Sequence, residues 1–140
     1  MSLSKTFKIL GLEHVGIAMN HNNKIGAFLE LLSGVDYVGN EFVDDQMVQT
    51  DIFQTSDAKI ELLNSTKEDS IIDKYVNKKG NGIHHIALQV DCIENAIKEL
   101  TEKGIEFIDK KPRIGAENCM IAFIHPRSTG GILFELCQHP

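Results

Sequence analysis

No two cysteines in this chain are spaced as CxxC, and only three cysteines occur, Cys92, Cys119 and Cys137. That excludes a structural zinc site of the CxxC type. An odd, widely spaced set also argues against a disulfide framework and for a reducing, cytoplasmic setting. Long apolar runs are missing as well. Nothing approaches the ~20 residues that span a bilayer, and the first residues lack a signal-type apolar segment, so no membrane association is expected. There is no basic stripe: the 14 Lys and Arg are scattered and the net charge is −6, so nucleic acid is not an expected partner.

What is present is the composition of an ordinary globular protein, with 42% hydrophobic and 24% charged residues in 140. That length suits one domain, expected to span 1–140. Within it lies a repeat. LEHVGIAM begins at Leu12 and IHHIALQV begins at Ile83; each reads as an apolar and a polar residue, a histidine, then an alternating strand. Each leads into helical spacing, Ile25, Phe28, Leu29 and Leu32 in the first copy, Ile93, Ala96, Ile97 and Leu100 in the second. Each helix stops near a glycine, Gly34 or Gly104, and an extended segment follows around Tyr37 or Phe107. KIELL at 59–63 and LFELC at 133–137 close the two halves. The pattern predicts an α+β fold of two βαβββ modules, about 8–66 and 80–138, joined by a short helix within EDSIIDKYVNKK.

Strand residues alternate faces with period two. Val15, Ile17 and Met19 share one face of the first strand; His14, Gly16 and Ala18 share the other. In the matching strand His84 falls with Ile86, Leu88 and Val90, and His85 falls with Ala87 and Gln89. The two patterns superpose with His14 on His85. Glu61 lies opposite Ile60 and Leu62, and Glu135 lies opposite Phe134 and Leu136. Four metal-capable residues, His14, Glu61, His85 and Glu135, therefore recur at matching places on the faces turned from the helices. If the modules pair about a pseudo-twofold axis, the four converge in one cavity, with Gly16, Ala18 and Ala87 leaving room for a ligand. Two imidazoles and two carboxylates suit a borderline divalent cation: Co²⁺, Ni²⁺, Mn²⁺, Fe²⁺ or Zn²⁺.

These features resemble the vicinal oxygen chelate (glyoxalase/bleomycin resistance) superfamily, which pairs two βαβββ modules around a divalent metal. Residues 59–138 are most similar to the methylmalonyl-CoA epimerase family, through KIELL, EDSIIDKYV, GNGIHHIALQVDCIENAIKEL, KGIEFIDKKPRIGA and IAFIHPRSTGGILFEL; the first half matches mainly through LEHVGIA. The resemblance implies metal ligands at His14, Glu61, His85 and Glu135, with Co²⁺ the first choice. It implies an acyl-CoA substrate, a homodimer, and a 1,1-proton transfer through a metal-stabilised enolate. Inversion needs an acid/base group on each face of the substrate. Glu135 is the expected catalytic residue on one.

The family's second glutamate falls on Thr50 in the VQTDIF segment, so the other group is open between Asp51, His125 and a water. Thr50 is expected to share Glu61's face and Asp51 to point away. His125, in IHPRSTGG, reads first as a turn residue; Arg127, Ser128 and Gly130–Gly131 read as a turn before a strand, with an anion loop as the sharper possibility. Cys137 shares Glu135's face. Three competing readings remain: glyoxalase I, an extradiol dioxygenase using two histidines and one carboxylate, and a metal-free small-molecule binding or resistance protein.

Overall fold

A computed structural model describes residues 5–20, 24–43 and 47–140. The chain divides into two compact units, residues 14–84 and residues 85–140 together with 1–13. The first unit holds most of β1 (Ile9–Met19), then α1 (Lys24–Glu30), β2 (Asp36–Val43), β3 (Val48–Gln54), β4 (Lys59–Ser65) and α2 (Ile71–Lys79). The second holds most of β5 (Gly82–Val90), then α3 (Ile93–Glu102), β6 (Arg113–Ile114), β7 (Met120–Ile124) and β8 (Phe134–Gln138), with the start of β1.

Both units are wound the same way. Strand order is β2-β3-β4-β1 in one and β6-β7-β8-β5 in the other. The opening strand of each module lies parallel to its closing strand, β1 to β4 and β5 to β8, and the remaining pairs are antiparallel. The modules are unequal in their second strand. β2 spans eight residues, whereas β6 spans two and Phe107 contributes only a single bridge to Ile124.

In the first unit α1 covers Met19, Phe53 and Leu62 with Leu29. The helical face expected from Ile25, Phe28, Leu29 and Leu32 is only half used. The helix ends at Glu30, Phe28 is 57% exposed, and Leu32 lies beyond the helix. α2 does more than connect. Ser70 caps it by accepting the Asp73 N–H, and Gly80, at φ 77°, ends it in a conformation few other residues adopt. Its Ile72 packs with Ala18, Val48 and Leu63, with Tyr75 and Val76 beside them. Ala18, expected to leave room for a ligand, is instead filled over by this helix and has no exposure.

In the second unit the expected α3 stripe holds: Ile93 and Ala96 are buried with Val90, Phe107, Ala122, Ile124 and Leu136, and Ile97 and Leu100 flank them. Cys92 offers α3 no side-chain cap; Gln138 Oε1 accepts the Ile93 N–H at 2.7 Å instead. The segment before β1 is tied down by Thr6, whose N–H and hydroxyl both donate to Glu99 on α3 at 2.7 and 3.0 Å. Removing a buried leucine such as Leu136 from this core is expected to cost roughly 2–5 kcal/mol. Among the described residues no helix is long and apolar enough to cross a membrane.

Candidate metal centre

Each unit carries one buried histidine–glutamate pair, built by the same register. In the first, β1 and β4 run parallel with Gly16 opposite Glu61, which brings Glu61 onto the face of His14, two residues earlier. His14 Nδ1 stands 3.2 Å from Glu61 Oε2, and both side chains are buried. In the second, Ala87 lies opposite Glu135, two residues past His85, and His85 Nε2 stands 3.3 Å from Glu135 Oε1. The ladder positions facing the two glutamates are held by small residues, Gly16 and Ala87.

Two ligands sharing one cation at ~2.1 Å stand ~3.0–3.4 Å apart. The two pairs fall in that range. Burying a carboxylate is costly unless a cation or hydrogen bonds compensate it, and here each carboxylate has an imidazole partner. The donor chemistry of both pairs therefore fits a borderline divalent metal.

The surroundings of each pair differ. Phe123 lies directly across the β7–β8 ladder from Glu135 and meets the His85 ring edge-on, with centroids 5.4 Å apart. Asp109 accepts the Phe123 N–H and also binds Arg113, whose guanidinium sits 5.7 Å from the Phe123 ring centre. The His85 ring is thus oriented by a residue the sequence reading did not single out. In the first unit Ile52 takes the equivalent place across from Glu61.

The remaining candidates separate cleanly. His84 is not with the pairs; its ring lies edge-on against Tyr75 of α2 at 5.1 Å. Thr50 is 1% exposed, and its register opposite Leu63 puts it on Glu61's face. Asp51 pairs with Leu62, on the face α1 covers, and accepts a hydrogen bond from the Tyr37 hydroxyl at 3.3 Å. Burial and the Asp51 charge push the Tyr37 phenol above its usual range. Asp51 also lines a cavity of about 910 Å³ with Gln49, Asn64, Lys67 and Asp73, which neither His14 nor Glu61 enters. His125 is a turn residue: it caps a 3₁₀ turn at Pro126–Ser128, its Nδ1 accepting the Arg127 N–H at 3.1 Å. Arg127 is paired with Glu106 at 3.0 Å, which argues against an anion loop.

Residues 13–123 match the glyoxalase/bleomycin resistance protein/dioxygenase superfamily. The chain belongs to that superfamily. It is 37% identical over 127 residues to the uncharacterized protein YqjC of Bacillus subtilis, covering 91% of each chain. It is 33% identical over 128 residues to the mitochondrial methylmalonyl-CoA epimerase of Homo sapiens, covering 91% of this chain and 73% of that one. Among solved structures, methylmalonyl-CoA epimerase from Mycobacterium tuberculosis is 30% identical with a TM-score of 0.86, covering all of this chain and 93% of that one. A methylmalonyl-CoA epimerase in complex with methylmalonyl-CoA and NH4+ is 28% identical with a TM-score of 0.86, covering 94% of this chain and 96% of that one. The fold is accordingly the α+β, glyoxalase-like one of these structures, and the likeness supports an enzyme of the epimerase type.

Proposed function

We propose that this chain interconverts (2R)- and (2S)-methylmalonyl-CoA by removing and returning the proton at C2. The observation that carries the reading is the repeated pair: a buried histidine and, on the neighbouring parallel strand, a buried glutamate at the same register in both modules. Together His14, Glu61, His85 and Glu135 would hold one divalent cation, Co²⁺ in the first instance. Two carboxylates against a dication leave no net charge in a buried setting. When bound, the cation supplies a Lewis acid that draws charge from the acyl carbonyl as the α-proton leaves.

The chain's own residues do the rest. Glu135 moves the proton on one face of the substrate, held in position by its ladder partner Phe123 and its neighbour His85. Thr50 shares Glu61's face, but an aliphatic hydroxyl is too weak a base to take the proton, and Asp51 is turned to the other side of the strand. The second proton transfer is assigned to a water. The relatives named methylmalonyl-CoA epimerase support the acyl-CoA substrate.

Protein loaded with Co²⁺ and given either epimer in D₂O should exchange deuterium into C2 and reach the same epimer mixture. In parallel it receives the glutathione hemithioacetal of methylglyoxal. Turnover of that compound alone would reassign the chain to a glyoxalase. A cytoplasmic homodimer is part of the same proposal, supported by thiols outside any disulfide and by Ile9, Leu10 and Leu12, which are 43–55% exposed on β1. Leu10→Glu should sediment as a monomer; a wild-type chain that is already monomeric would end the dimer reading.

A further inference from the structure

A second cluster of metal-ligating side chains lies wholly within the 85–140 unit and its attached 1–13 segment. Cys119 and Cys137 are buried, and His139 is partly buried beside them; one donor atom from each of the three lies within 4.8 Å of the other two. The geometry points to a thiolate-rich site for a soft or borderline d¹⁰ cation such as Zn²⁺, separate in donor chemistry from the histidine–glutamate pairs.

The strands explain the convergence. Met120 lies opposite Gln138 and Ile121 opposite Cys137. Continuing that antiparallel register puts Cys119 opposite His139 and leaves Cys137 diagonal to Cys119, all three on one face. Cys119 is held by a closed local turn: its carbonyl accepts the Gly115 N–H at 2.8 Å, and its N–H donates to Ala116 O at 3.1 Å. The ligands therefore stand on ordered backbone.

The ladder register favours a bridging cation over a disulfide. Diagonal neighbours across an antiparallel ladder have Cβ atoms on the order of 7 Å apart, whereas a disulfide needs ~3.8 Å. A cation adds two bonds of ~2.3 Å between the sulfurs and spans the gap. In a tetrahedral site with Zn–S ~2.3 Å and Zn–N ~2.0 Å, sulfur and nitrogen stand ~3.5 Å apart. Cys119 Sγ and His139 Nδ1 are 3.5 Å apart.

The histidine is already oriented as a ligand. Its Nε2 lies 2.8 Å from Oε2 of the buried Glu13. A carboxylate only accepts, so Nε2 carries the proton; in the neutral ring that leaves the Nδ1 lone pair on the side of Cys119. A carboxylate behind the far nitrogen of a metal-bound histidine fixes the tautomer and raises ligand basicity. Two thiolates select a softer cation than two carboxylates do, and the fourth position of a tetrahedron would fall to water.

The test is a Cd²⁺ titration of the reduced, chelator-stripped full chain, watched in the ultraviolet. A thiolate-to-cadmium charge-transfer band should grow and saturate at one equivalent per chain. The His85→Ala variant should keep it, since the histidine–glutamate pairs contain no sulfur. Cys119→Ser and Cys137→Ser should each lose it. His139→Gln and Glu13→Gln should keep the band with affinity reduced about 10–100-fold, and both serve if a cysteine variant fails to fold. No band, a band indifferent to Cys119→Ser, or a purified chain whose mass shows Cys119 and Cys137 already joined by loss of two hydrogens would overturn the site. None of these outcomes bears on epimerase turnover, so the two proposals fail separately.

Discussion

His85 presents Nε2 to Glu135 Oε1 at 3.3 Å, with both side chains only 6% exposed. The other module makes the same kind of contact through the other ring nitrogen, His14 Nδ1 to Glu61 at 3.2 Å. The repeat therefore conserves which residues meet and where they stand in the ladder, while leaving each ring free to approach from its own side. In the second module an aromatic ring, Phe123, meets the histidine edge-on.

If the pairs bind metal, His14→Ala and His85→Ala should each lose most bound divalent cation and nearly all activity. His84→Ala should keep its metal, because that ring lies edge-on against Tyr75. Metal content after dialysis, measured by elemental analysis, checks all three. Loss of metal from His84→Ala with retention in His85→Ala would contradict the strand register.

Glu135→Gln keeps size and removes both a charged ligand and a base. Activity should fall by about 10²–10⁴-fold, the usual range for a positioned acid/base group, and deuterium uptake at C2 should fall with it. A fully active variant would remove Glu135 from the mechanism.

The alternation of each strand was enough to read the four pair residues, because a parallel ladder and a period of two leave little freedom in which residues share a face. What the alternation did not carry is what lies over that face. Ala18 looked like open floor and is covered by Ile72 of α2. Phe28 looked like core and is exposed, because α1 turns Gly26 and Leu29 inward instead, and Leu32 falls beyond the end of the helix. The Cys119–Cys137–His139 cluster was half visible: extending the parity of Glu135 and Cys137 by two residues reaches His139. Cys119 and Glu13 come from distant segments, and no local pattern links them to it.

Asp51→Asn should leave fold and metal content intact and lower the ionisation midpoint of Tyr37. The phenol is held above its usual range first by burial and then by the Asp51 charge and hydrogen bond, so neutralising Asp51 removes part of the cause. Ultraviolet titration reads it directly, with Tyr75 as the only other tyrosine. An unchanged midpoint would mean the Tyr37–Asp51 contact is not formed in solution. Lost turnover with metal and fold preserved would instead make Asp51 the second base.

Glu99 links the stability of the second unit to pH. Its carboxyl is lowered from 4.5 to about 2, first by the Lys103 ammonium at 2.7 Å and then by the Thr6 N–H, with burial acting in the opposite direction. A carboxyl depressed in the folded chain binds fewer protons there than in the unfolded chain, so it stabilises at pH above its unfolded value. That contribution is complete above about pH 4.5 and is lost as pH falls toward about 2. Glu99→Gln should therefore be less stable than wild type at neutral pH, because Thr6 and Lys103 lose an ionic acceptor. The two stabilities should converge on acidification through that window. Urea midpoints measured between pH 7 and pH 2 give the comparison, and a gap that stays constant across the range would show that Glu99 does not titrate as the Thr6 and Lys103 contacts require.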